Sequence, residues 1–120
     1  MPPFPRVFPH RGEIYWVDFA NPRGSEQGGR RPAIVVSNNI NNQHAPVVVV
    51  AAITSARQKK RYPQNVSLPA GVLEDESTIL GGQLLTVAKD RLEKYAAAIP
   101  EDLTDALDRA LAKSLALPMA

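Results

Sequence analysis

Arg31 and Thr54 are the two side chains in this sequence whose types and spacing point to shared chemistry. Arg31 heads an apolar run, Ala33-Ile34-Val35-Val36, and follows the polar, glycine-rich stretch Gly24-Ser25-Glu26-Gln27-Gly28-Gly29-Arg30. Thr54 closes a second apolar run, Val47 to Ile53. If the runs are antiparallel strands, the start of one lies beside the end of the other. A guanidinium and a hydroxyl then meet at one edge of the sheet. The guanidinium is a permanently charged fork that suits phosphate oxygens. Glycines at 28 and 29 let backbone N–H groups approach a ligand closely. Pro32 fixes its own φ and pushes Arg31 toward an extended conformation. The plain alternative is a hairpin loop with solvated arginines, and a threonine that only satisfies local backbone groups.

Charge favours a polyanionic partner. Residues 1–61 hold 9 Lys/Arg against 3 Asp/Glu, whereas residues 62–120 hold 5 against 9. The basic half carries both candidate residues. Just after Thr54, the run Arg57-Gln58-Lys59-Lys60-Arg61 fits phosphate tracking as well as a solvated loop. The chain has no cysteine, which excludes disulfides, thiolate metal sites and a cysteine nucleophile. His10 and His44 stand far apart in loop-like contexts, which argues against structural zinc and against a histidine-pair ribonuclease. No apolar run reaches the length of a membrane span. Prolines at positions 2, 3, 5 and 9 interrupt the N-terminus, so it does not read as a signal peptide. A cytoplasmic protein is expected.

The positioning elements read as mainly β. Residues 1–11 are a proline-rich arm expected to be flexible, and 12–120 form a single domain. Glu13 to Phe19 is the first strand, with Tyr15, Trp16 and Phe19 expected in the core and base stacking as a minority role. Ala33 to Ser37 and Val47 to Ile53 are the second and third strands. Asparagines at 38, 39, 41 and 42 suit a turn between them. Asn65 to Leu68 and Ser77 to Val87 follow, with an acidic turn at 71–76. Gly81-Gly82 predicts a bulge, a bend or a close backbone approach. A helical turn at 89–92, a short strand at 95–99 and a helix from Pro100 complete the pattern. Leu103, Leu107, Ala110 and Leu111 give that helix one apolar face.

Three strings resemble one family. They are Arg11-Gly12-Glu13-Ile14-Tyr15-Trp16-Val17-Asp18, Gly24-Ser25-Glu26-Gln27-Gly28-Gly29-Arg30-Arg31-Pro32-Ala33-Ile34-Val35-Val36-Ser37-Asn38, and Val50-Ala51-Ala52-Ile53-Thr54. In order and spacing they are similar to the MazF/PemK-type toxins of bacterial toxin–antitoxin systems. The resemblance implies an SH3-like small barrel of about five to seven strands with a C-terminal helix, usually as a homodimer. It implies a metal-independent endoribonuclease that needs no cofactor and cuts single-stranded RNA at short sequences. It also implies a cognate antitoxin whose acidic tail inhibits the toxin. Arg31 and Thr54 match the family's catalytic pair. Ser25, Glu26, Gln27, Gly28, Gly29, Arg30, Ser55, Arg57 and Gln83 are the expected substrate contacts.

One departure stands out. Family members often carry Glu-Gln, then a basic residue two positions beyond the glutamine. Here Gly82-Gln83-Leu84-Leu85 keeps only the glutamine, so cleavage specificity cannot be carried over from a relative. Two other classes compete with the nuclease. One is a non-catalytic relative that binds RNA or its partner, and the other is a gyrase-directed toxin on a similar barrel. The gyrase reading has no use for a Gly-Gly-x-Arg-Pro site.

Overall fold

The computed structural model describes residues 7–19, 29–55 and 62–118. Its centre is one antiparallel sheet in the order β4-β5-β3-β2-β1-β6. The strands are β1 (Glu13–Asp18), β2 (Arg30–Val35), β3 (Val47–Thr54), β4 (Asn65–Leu68), β5 (Ser77–Ala88) and β6 (Leu92–Ala98). A short helix α1 (Asn39–His44) joins β2 to β3, a single 3-10 turn at Lys89–Arg91 joins β5 to β6, and helix α2 (Thr104–Leu115) ends the fold. The mainly β architecture with its terminal helix is as expected. The barrel is not closed, because among the described residues β4 and β6 remain as open edges. β4 has four residues and pairs only with β5, and β6 pairs only with β1.

Alternation along the strands divides the buried side chains between two faces. Ile14, Ile34, Ala51, Ile53, Leu68 and Ile79 form one cluster, which Leu107, Ala110 and Leu111 of α2 cover. Val17, Ala33, Val35, Val48, Val50 and Val87 form the other, with Tyr15, Phe19 and Leu92 packed against it. The continuous apolar reading of β3 is thereby explained, since that strand is buried on both faces. Trp16 departs from expectation. It falls on the opposite face from Tyr15 and Val17 and is 38% exposed.

The asparagine run is more than a turn. Asn38 caps α1, its side chain accepting from Asn41 N at 2.8 Å. Asn42 is fully buried. Its Oδ1 accepts from Ser37 Oγ at 2.6 Å, its Nδ2 donates to Ser37 O at 2.9 Å, and Ser37 Oγ accepts from Val49 N at 3.0 Å. Asn39 Oδ1 accepts from Arg11 N at 2.7 Å. Arg11 also donates from Nε to Val36 O at 2.9 Å and pairs with Asp108 of α2 at 2.9 Å. These polar contacts fix the β2–β3 connection and hence the register of the two strands that matter most.

Candidate active site and base cleft

The register of β2 on β3 places the candidate pair. Ala33 lies opposite Ala52, Ile34 opposite Ala51 and Val35 opposite Val50. Continued by two residues, the same register sets Arg31 beside Thr54. On its other side Arg31 pairs with Val17 of β1, while Thr54 pairs with Thr78 of β5. The four residues therefore form one row across the sheet, at the end where β2 begins and β3 stops. Thr54 is 4% exposed, so its hydroxyl belongs to the floor of this end. Arg31 is half-buried and Ser55 is exposed.

The glycine-rich loop leaves the sheet at the same end. Phe19 N donates to Gly29 O at 2.9 Å, which closes the loop's base, and Gly29 takes a φ of 72° that favours glycine. Ser25, Glu26, Gln27 and Gly28 lie outside the described residues, as does Arg57. Arg30 is bound in a two-pronged ion pair with Glu93 of β6, Nε to Oε1 at 2.7 Å and Nη2 to Oε2 at 3.1 Å.

Gln83 is placed by a bulge. Ala51 pairs with Leu84 but Ala52 pairs with Leu80, so Gly81, Gly82 and Gln83 are looped out of the β3–β5 ladder. The expected bulge and the expected close approach are both present. The backbone of Gln64, leading into β4, runs against Gly81 so tightly that no side chain fits there. Gln83 is thus separated from the ladder one strand away from Thr54.

A cleft of about 770 Å³ opens at this end of the sheet. It is lined by Trp16, Arg31, Pro32 and Ile53, by Lys94 and Tyr95 of β6, and by the turn from Gly71 to Asp75. Arg31 thus belongs both to the row with Thr54 and to the wall of the cleft. Tyr95 packs edge-on against Tyr15 with ring centroids 5.7 Å apart, and Tyr15 donates to the buried Glu13 at 3.0 Å. Glu74, Asp75 and Lys94 escaped the sequence reading. The only signal for the two carboxylates was the acidic turn; Lys94 falls just before the short strand expected at 95–99, which begins at Leu92 in the structure.

Proteins of known structure share this fold. A family model of PemK-like, MazF-like toxins of type II toxin–antitoxin systems matches residues 10–115. The chain belongs to that family. Endoribonuclease EndoA of Bacillus subtilis (strain 168) is 40% identical over 109 residues, which cover 89% of this chain and 94% of the relative. Among solved structures, an endoribonuclease in complex with its cognate antitoxin from a mycobacterial species superposes with a TM-score of 0.79 at 27% identity, covering 93% of this chain and 99% of that one. MazF from Deinococcus radiodurans gives 0.77 at 30% identity, covering 92% and 98%. No described helix is long and apolar enough to cross a membrane.

Proposed function

We propose that this family member is the toxin of a toxin–antitoxin pair and acts as a metal-independent, sequence-specific endoribonuclease. Its substrate is single-stranded RNA, and its effect is to block translation and growth in the cytoplasm. The observation that carries the reading is the β2–β3 register, which runs Arg31 toward Thr54. RNA supplies its own nucleophile, so the protein needs no covalent intermediate. The 2′-OH attacks the adjacent phosphorus, the P–O5′ bond breaks, and a 2′,3′-cyclic phosphate and a 5′-OH result. The attacking hydroxyl loses its proton and the leaving 5′ oxygen gains one. Arg31 offers two N–H groups to the charge that builds on the non-bridging oxygens. Its guanidinium holds its protons too firmly to act as the acid. Thr54 orients the 2′-OH or donates to a non-bridging oxygen.

Ser25, Glu26 and Gln27 supply donors and acceptors for splayed bases, Gly28 and Gly29 bring backbone N–H groups close, and Arg30, Ser55, Arg57 and Gln83 complete the strand's path. Among the described residues no group of three His, Cys, Asp or Glu stands together as a metal site. The partners are a second copy of the chain and an antitoxin whose acidic tail competes with RNA for the basic end. The D. radiodurans relative has been solved as a MazE–MazF complex, which supports the antitoxin part of the reading.

The test is cleavage of a long natural transcript in EDTA, with cut sites mapped by primer extension and Arg31→Ala run in parallel. Discrete cuts that persist in EDTA and vanish in the variant are expected. No cuts, or cuts unchanged in the variant, would overturn the reading and make gyrase supercoiling the next assay.

A further inference from the structure

The cleft holds groups that phosphate chemistry does not need. Trp16, the single tryptophan of the chain, leaves 38% of its surface open in a strand where Ile14 and Val17 are fully buried. An indole so placed is a stacking surface for a base. Lys94, its cross-strand partner, is exposed beside it.

The turn that contributes to the same cleft is held firmly in place. Gly71 takes a φ of 109°, and its N–H donates to Leu73 O at 2.9 Å. Val72 and Leu73 pack against the helix-covered core. Ser77, 5% exposed, donates its hydroxyl to Asp75 O at 2.9 Å. On this turn Glu74 and Asp75 are exposed, and no hydrogen bond or ion pair among the described residues engages either carboxylate.

A carboxylate only accepts hydrogen bonds and repels phosphate. In a cleft that also contains Arg31 and Lys94, its use is to read a base edge. Guanine presents two adjacent donors, N1–H and N2–H, which match the two oxygens of one carboxylate. Cytosine and adenine each present one amino group beside an acceptor. Uracil presents one N–H flanked by two carbonyls, which the carboxylate repels.

We propose that this cleft selects the base next to the cut, with Trp16 stacking on it, Lys94 holding a neighbouring phosphate, and Glu74 and Asp75 accepting from its Watson–Crick edge, guanine above all. The inference rests on the nuclease reading for its substrate class. Arg31 joins the two sites, since it stands in the row with Thr54 and in the wall of the cleft.

The experiment uses Trp16 as its own reporter. Trinucleotides with 2′-O-methyl groups, which cannot attack phosphorus, carry G, A, C or U at the central position and are titrated while Trp16 fluorescence is read. The G trinucleotide is expected to quench at a concentration roughly 5- to 150-fold below that needed for U. The double substitution Glu74→Gln, Asp75→Asn keeps size and stacking but gives each side chain a donor, and should abolish that preference. Equal quenching by all four, no quenching by any, or a G preference that survives in the double variant would each overturn the proposal. Transcript cleavage distinguishes the two readings. Discrete cutting without a G preference in fluorescence sinks only the base pocket, and a G preference without cutting sinks only the nuclease.

Discussion

The carbonyl oxygen of Gln64 occupies the space that a Cβ on Gly81 would need. That oxygen belongs to the backbone and has no flexible end that can swing away. Gly81→Ala must therefore push β4 away from β5 or flatten the bulge that carries Gln83. We expect a loss of more than about 3 kcal/mol in urea unfolding. Gly82→Ala meets only the Gln64 side chain at 3.6 Å and should be far milder. Equal effects at the two positions would contradict the close approach.

Arg31 and Thr54 should act as a pair. Arg31→Ala and Thr54→Val are each expected to reduce the RNA cleavage rate on the order of 100-fold or more, with circular dichroism unchanged. The double variant should lose much less than the product of the two single losses, because in the proposed mechanism both groups serve one transition state. Independent, multiplicative losses would separate them.

Glu93 restrains Arg30. Glu93→Gln removes the carboxylate that binds both prongs of the guanidinium. RNA affinity should rise, and the slope of log affinity against log salt should steepen by about 0.7, the value for one more phosphate contact on a single strand. An unchanged slope would mean that Arg30 never reaches the RNA.

Asn42 anchors the β2–β3 connection. Asn42→Ala leaves the Ser37 carbonyl and hydroxyl without their buried partner. A loss of about 2 kcal/mol is expected at an unchanged urea m-value. A shift of a few tenths would mean that water replaces the amide.

Ala116 ends α2 in the left-handed region, with φ 56° and ψ 42°, and Leu117 N donates to Ala112 O at 2.7 Å. Glycine takes this conformation without the Cβ clash. Ala116→Gly should stabilise the fold by about 0.5–1 kcal/mol in thermal or urea unfolding.

The legible parts of this protein were those in which local pattern and tertiary context agree. β3 was readable because burial on both faces leaves a β-branched run without polar interruption, and its end at Thr54 followed from that. The pairing of Arg31 with Thr54 needed only the antiparallel assumption. Asparagines 38–42 read as a turn because asparagine favours turns, but the same side chains cap a short helix and fill a buried polar network. Trp16 read as core because large aromatics usually are, and only its alternation with Tyr15 and Val17 sends it to the cleft. Lys94 and Glu74 are 20 residues apart in the chain, and they come to one cleft only through the pairing of β1 with β6 and the packing of the 71–75 turn. Closure into a barrel depends on whether two edge strands bond, which no local pattern encodes.

The pairing of β1 with β6 also sets when the molecule can exist. Glu13 is bonded in register with Ala98, so the first strand completes its partners only with nearly the last one. Leu107, Ala110 and Leu111, which cover the main core, come later still. A nascent chain in which the residues beyond Lys89 are still inside the ribosome lacks Lys94, Tyr95 and the helix that seals Ile14 and Ile34. Long-range closure of this kind is slow and late. The cleft wall that Lys94 and Tyr95 supply thus cannot assemble on β1 until β6 has followed it out of the ribosome.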